Sequence, residues 1–143
     1  MQTVLITGAS SGIGKELAYV FAKNNFNLIL VARRAEKLDE IKNDILTQYK
    51  VEVHVITMDL SQLESANKLF KEVMTQKLNV DVLINNAGFG ISAAFDKMDI
   101  EYEEQMLILN IITLTKLSRL FGNYMIPKKT GHIINIASTA AFQ

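Results

Sequence analysis

Two rhythms alternate in the hydrophobic positions of the chain. Short apolar runs read as strands: Val4-Leu5-Ile6, Asn27 to Ala32, Val51 to Met58, Val80 to Ile84 and Gly131 to Ala137. Between them, apolar residues recur at helical spacing. Ile13, Leu17, Val20 and Phe21 mark the expected buried face of a first helix, which ends near Asn24-Asn25. Leu38, Ile41, Ile45 and Tyr49 mark a second. Ala66, Leu69, Phe70 and Val73 mark a third, opened by a capping box at Ser61-Gln-Leu-Glu64. A long helix is expected from about Asp99 towards Met125, with Pro127 at its end. Phe89 to Met98 has little periodicity and predicts a loop over the sheet's carboxyl edge.

The strands read as continuous apolar runs, the pattern of a parallel sheet buried on both faces. Strands alternating with helices predict an α/β fold, a doubly wound parallel sheet of Rossmann type with order 3-2-1-4-5. That order puts the active edge outside the carboxyl ends of strands one and four.

Composition narrows the field. The 143 residues carry 15 basic and 15 acidic side chains, so no field of one sign points to nucleic acid or anionic lipid. The chain has no Cys, which excludes disulfides, thiolate metal sites and cysteine nucleophiles. His54 and His132 are its only histidines, too few and too distant in sequence for a metal site or a Ser-His pair. The amino-terminal residues hold no basic leader, and no apolar run reaches membrane-spanning length. A cytoplasmic protein without metal is the expectation.

The strongest chemical signal is Thr7-Gly8-Ala-Ser-Ser11-Gly12-Ile-Gly14, set between the first strand and the first helix. Strand, glycine turn and helix start in that order form a phosphate-binding device of the dinucleotide type. Lys15-Glu16 follows the last glycine where a triphosphatase loop would carry Lys-Ser/Thr. At the end of the second strand, an acid would select a free ribose hydroxyl and an Arg a 2′-phosphate. Ala32-Arg33-Arg34 stands there, which favours NADP over NAD. Arg33 is the expected phosphate contact, and Arg34 is left open as a second. Asp59, beside Leu60, either accepts from an adenine amino group or caps its own turn. Asn86, Ala87 and Gly88 leave space where a flat nucleotide passes, and the Asn86 amide is placed to brace that turn. Asn110 is a polar side chain among Leu107, Ile108, Leu109, Ile111 and Ile112. It either makes a local helix contact or holds backbone or water near a reacting centre. Ser138 ends the fifth strand and suits hydrogen bonding to a substrate oxygen better than attack on it.

Together and in order, these motifs resemble the short-chain dehydrogenase/reductase family of the classical type, over the amino-terminal part of that family's domain. The resemblance implies that residues 1–143 are an incomplete dinucleotide-binding domain. It implies an NADP-dependent oxidoreductase moving a hydride between nicotinamide and a small carbonyl or alcohol substrate, expected as a homo-oligomer when intact. Gly8, Ser10, Ser11, Gly12, Ile13 and Gly14 would cradle the pyrophosphate and ribose. Arg33 and Arg34 would meet the 2′-phosphate, and Asp59 and Leu60 the adenine. Asn86, Ala87 and Gly88 would line the ribose. Asn110 would hold a catalytic water, and Ser138 would polarise the substrate oxygen. The family's acid/base Tyr, in a Tyr-x-x-x-Lys pair, follows the active Ser and is not expected among Tyr19, Tyr49, Tyr102 and Tyr124. The 143 residues alone are therefore expected to be inactive. The alternative is a non-catalytic nucleotide-binding or protein-interaction module, separable by cofactor titration with a carbonyl activity screen.

Overall fold

The computed structural model describes residues 1–139, so the tail after Ser138 passes outside the described residues from position 140. Among the described residues one sheet holds β1 (Thr3–Thr7), β2 (Asn27–Ala32), β3 (Val53–Thr57), β4 (Val82–Asn85) and β5 (His132–Asn135). Its order is β3-β2-β1-β4-β5 and every pairing is parallel, the doubly wound arrangement expected. The helices are α1 (Gly12–Lys23), α2 (Ala35–Gln48), α3 (Ser65–Thr75), α4 (Ile100–Leu107) and α5 (Leu114–Met125). Among the described residues no helix is long and apolar enough to cross a membrane.

Strand pleating divides the apolar runs between two cores. Val4, Ile6, Leu28, Leu30 and Ile84 pack with Ala18, Ala22, Leu38, Ile41 and Ile45 of α1 and α2. Leu5, Ile29, Val31 and Leu83 pack on the other face with Leu69, Val73, Leu117 and Phe121 of α3 and α5. Each Leu or Ile sealed this way contributes about 1.5–3 kcal/mol. The central strands therefore carry much of the stability, and they also position the glycine turn.

Two expectations are corrected. The buried face of α1 is Gly14, Ala18 and Ala22, with Leu17 and Phe21 partly buried beside it. Ile13 and Val20 are 59% and 54% exposed, because α1 lies so close to the sheet that only small side chains fit between. The capping box does not form. Asp59 Oδ1 takes both the Ser61 N–H (3.0 Å) and the Ser61 hydroxyl (2.7 Å), and α3 starts later, behind an N-cap at Glu64.

The long helix starts as expected, with the Asp99 side chain accepting from the Glu101 N–H at 3.0 Å. It is not uniform. Ile108–Thr113, between α4 and α5, is π-helical. Such widened turns are frequent at functional sites, and this one contains Asn110.

Candidate functional site

The carboxyl end of β1 meets that of β4, and side chains lock the two turns together. Thr7 Oγ1 accepts from the N–H groups of Asn86 and Ala87, both at 3.0 Å, and donates to Ile84 O at 3.3 Å. The Asn86 amide donates to Thr7 O at 3.0 Å and to Gly8 O at 3.3 Å. Gly8 has φ +67°, and a Cβ there would stand 2.9 Å from Ala87 Cα. A Cβ on Gly14 would stand 2.4 Å from Gly8 O, so α1 rests directly on the turn. These groups satisfy their own polar needs and leave the outer side of the turn open.

Above the turn lies a cleft of about 350 Å³. Of the residues expected to bind cofactor, Gly8, Ser10, Ser11, Ile13, Arg33, Arg34, Asp59, Leu60, Asn86, Ala87 and Gly88 line it. Gly12 and Gly14 are not among its lining: Gly14 lies buried against the turn, and Gly12 opens α1. Arg34 Nη2 donates to Ser10 Oγ at 3.1 Å and to Ser11 Oγ at 2.9 Å, linking the end of β2 to the glycine turn. Ser11 is the N-cap of α1 yet makes no side-chain capping bond, and the first turn holds no acidic residue. The start of α1 therefore carries neither a side-chain cap nor a carboxylate of its own in its first turn.

Asp59 is partly buried in the cleft wall. Burial pushes its carboxyl up, but the hydrogen bonds from Ser61 and Gln62 and the nearby Arg33 charge outweigh this and hold it below its ordinary value. Asp59 therefore faces the cleft as an anion whose Oδ1 is already engaged by its own turn.

Asn110 lies behind the cleft. Its Oδ1 accepts from the Phe89 N–H at 3.2 Å, and its Nδ2 donates to Phe89 O at 2.8 Å. The amide thus clamps the backbone just past Gly88, whose own Cβ direction is filled by Asn110 Oδ1 at 2.9 Å. Ser138 is exposed, beyond the carboxyl end of β5, and is not among the cleft-lining residues.

Sequence reasoning missed Ala32, Met58, Phe89 and Leu109, which complete the cleft wall. Ala32 was noted only for the acid it replaces, and the other three are apolar residues with nothing to separate them from core positions. Thr7 was also missed as the hub of the two turns, although its hydroxyl at a strand end next to Gly8 was the available signal.

The Tyr-x-x-x-Lys spacing does occur in this chain, as Tyr19/Lys23 and Tyr124/Lys128. Position, not spacing, separates both from the cleft. Tyr19 donates to Asp44 Oδ2 at 2.7 Å, and burial together with that carboxylate pushes its pKa up to about 12. Tyr124 bonds Asn79 at 2.9 Å and receives the Lys128 ammonium, next to the start of β4 and opposite the carboxyl edge.

The family model described as short chain dehydrogenase matches residues 2–143. An NADP-dependent 3-hydroxy acid dehydrogenase of Schizosaccharomyces pombe is 35% identical, over 97% of this chain and 54% of the relative. A short-chain dehydrogenase from Sphingobium yanoikuyae, solved in complex with NADPH, aligns with a TM-score of 0.92 at 34% identity, over 99% of this chain and 55% of its own. The bulky-bulky ketone specific alcohol dehydrogenase from Comamonas testosteroni aligns with a TM-score of 0.92 at 33% identity, over 99% of this chain and 57% of its own. The chain spans about half the length of the relatives it matches.

Proposed function

Because the chain belongs to the short chain dehydrogenase family, we propose that its cleft holds NADP in preference to NAD, in an oxidoreductase acting on a small carbonyl or alcohol substrate. The observation that carries this reading is the pair Arg33 and Arg34 at the cleft, with Ala32 where an acid would select NAD. Arg34 reaches across to the glycine turn and Arg33 lines the same cleft, which supports a 2′-phosphate contact at the end of β2.

The residues present fit such a group. The open side of the Gly8–Gly14 turn and the start of α1 would take the pyrophosphate on backbone N–H groups. Arg33 and Arg34 would hold the 2′-phosphate. Asp59, with Oδ1 taken by Ser61 and Oδ2 met by Gln62 only at 3.4 Å, would offer the remaining acceptor capacity of Oδ2 to the adenine amino group. Asn86, Ala87 and Gly88 would line the ribose, and the Asn110 clamp on Phe89 would keep that wall in place. When bound, the nicotinamide supplies or accepts the hydride. Ser138 would hydrogen-bond the substrate oxygen from the end of β5. The proton-exchanging Tyr is assigned to sequence after Ser138, and residues 1–143 alone are expected to bind cofactor without turnover.

The test is a titration of the intact protein with NADPH and NADH. Arg33→Ala should weaken NADPH about ten- to a hundredfold, the loss of one charge-assisted contact, and leave NADH nearly unchanged. Equal losses would refute the phosphate assignment. Failure to bind either dinucleotide would refute the reading as a whole.

A further inference from the structure

Between β4 and the π segment lies a second space, of about 10 Å³, whose lining includes Thr7, Asn85 and Thr113. Leu60, Ala87 and Leu109 line both this space and the large cleft, so they form the partition between the two.

Asn85 is only 3% exposed. Its Nδ2 donates to Ser118 Oγ at 3.0 Å and to Asn135 Oδ1 at 2.9 Å. Ser118 spends its hydroxyl hydrogen on Leu114 O at 2.8 Å, so towards Asn85 it can only accept. That fixes the amide: Nδ2 faces Ser118, and Oδ1 faces away. Asn85 Oδ1 is the one buried side-chain polar atom among the described residues that has no hydrogen-bond partner. Buried amide oxygens in native proteins are satisfied by protein or by ordered water. The described residues already cover this one, so its partner has to fit inside.

The space next to Asn85, about 10 Å³, is of the size one water needs. Its lining also offers a second acceptor. Thr113 Oγ1, 2% exposed with the rest of its residue, donates to Leu60 O at 2.8 Å and keeps lone-pair capacity. Thr7 Oγ1 is already saturated by one donated and two accepted bonds. We propose that this space binds a single ordered water, which gives one hydrogen to Asn85 Oδ1 and the other to Thr113 Oγ1. The water ties β4 to the π segment behind the wall of the dinucleotide cleft.

The test is a crystal structure of the intact protein, wild type and Thr113→Val, at a resolution that shows ordered water. The expected result is one water peak within hydrogen-bond distance of Asn85 Oδ1 and Thr113 Oγ1 in the wild type, and its loss in the variant. Oxygen-17 magnetic relaxation dispersion should lose one long-lived water between the two. An empty space in the wild type, or an Asn85 Oδ1 bonded directly to protein, would overturn the proposal. So would a peak that survives unchanged in Thr113→Val. Should the variant fail to fold, the wild-type peak decides alone.

Discussion

β2 and β5 use the same apolar vocabulary and end in opposite surroundings. β2 reads Asn-Leu-Ile-Leu-Val-Ala, and Leu28 to Ala32 are buried. β5 reads His-Ile-Ile-Asn, and all four residues are exposed, Ile133 at 38% and Ile134 at 40%. Burial is therefore not a property of the strand. It comes from what lies on either side: β2 sits between β3 and β1 with helices on both faces, whereas among the described residues β5 pairs only with β4. The site is divided the same way. The glycine turn and Arg34, which line the cleft, stand on the sealed strands, and Ser138 stands beyond the open one.

The hardest test of that contrast is Gly14→Ala. The added Cβ would lie 2.4 Å from Gly8 O and 2.5 Å from Asn86 Nδ2, and the first of these is backbone pinned in the turn. Overpacking of this kind costs about 3 kcal/mol, and dinucleotide binding should fall with it. Denaturant unfolding and NADPH titration measure both. A variant as stable as the wild type would mean that the turn is not tightly seated. On the open flank, Gly122→Ala should act in the opposite direction. Among the described residues its Cβ, on α5, would meet only Ile133 Cδ1 of β5, at 3.7 Å, an ordinary contact. Replacing a helical Gly by Ala should raise stability by about 0.4–1 kcal/mol, seen as a higher denaturant midpoint. Loss of stability there would show the β5 flank to be packed as closely as the glycine turn.

The sequence made the sheet order legible because parallel, doubly covered strands must be apolar throughout, and five such runs alternated with helical patterns. The glycine turn and the two arginines at the cleft were legible for a related reason: Gly8 has to turn at positive φ against the end of β4, and Arg33 and Arg34 follow directly on the end of β2. What escaped notice depended on neighbours far along the chain. Ile13 and Val20 fit a helical stripe, but the close approach of α1 to Gly8 favours Ala18 and Ala22 against the sheet. Ser61 and Glu64 have capping-box spacing, but Asp59 captures Ser61 first. The π segment had no pattern of its own, since Ile-Leu-Asn-Ile-Ile-Thr is apolar nearly all round. Only Asn110 hinted at it, and its partner, Phe89, lies in a stretch that sequence could place only as a loop.

The smallest effect expected on the sealed flank is also the most specific, because it is read from a pH dependence. Tyr19 on α1 donates to Asp44 on α2 at 2.7 Å, and burial plus that carboxylate raises its pKa from 10.0 to about 12. A folded-state pKa above the unfolded value favours the protonated form in the fold. The resulting stabilisation is complete below about pH 10, declines as pH rises, and is gone above about pH 12. Tyr19→Phe removes the titration and leaves the ring. The stability difference between wild type and variant should therefore be constant at neutral pH and shift steadily towards the variant between pH 10 and 12. Urea unfolding across that window reads the difference directly, with the other tyrosines and the lysines cancelling between the two proteins. Parallel curves would mean that the Tyr19–Asp44 contact is too exposed to link the two helices. The sealed flank would then owe its cohesion to apolar packing alone.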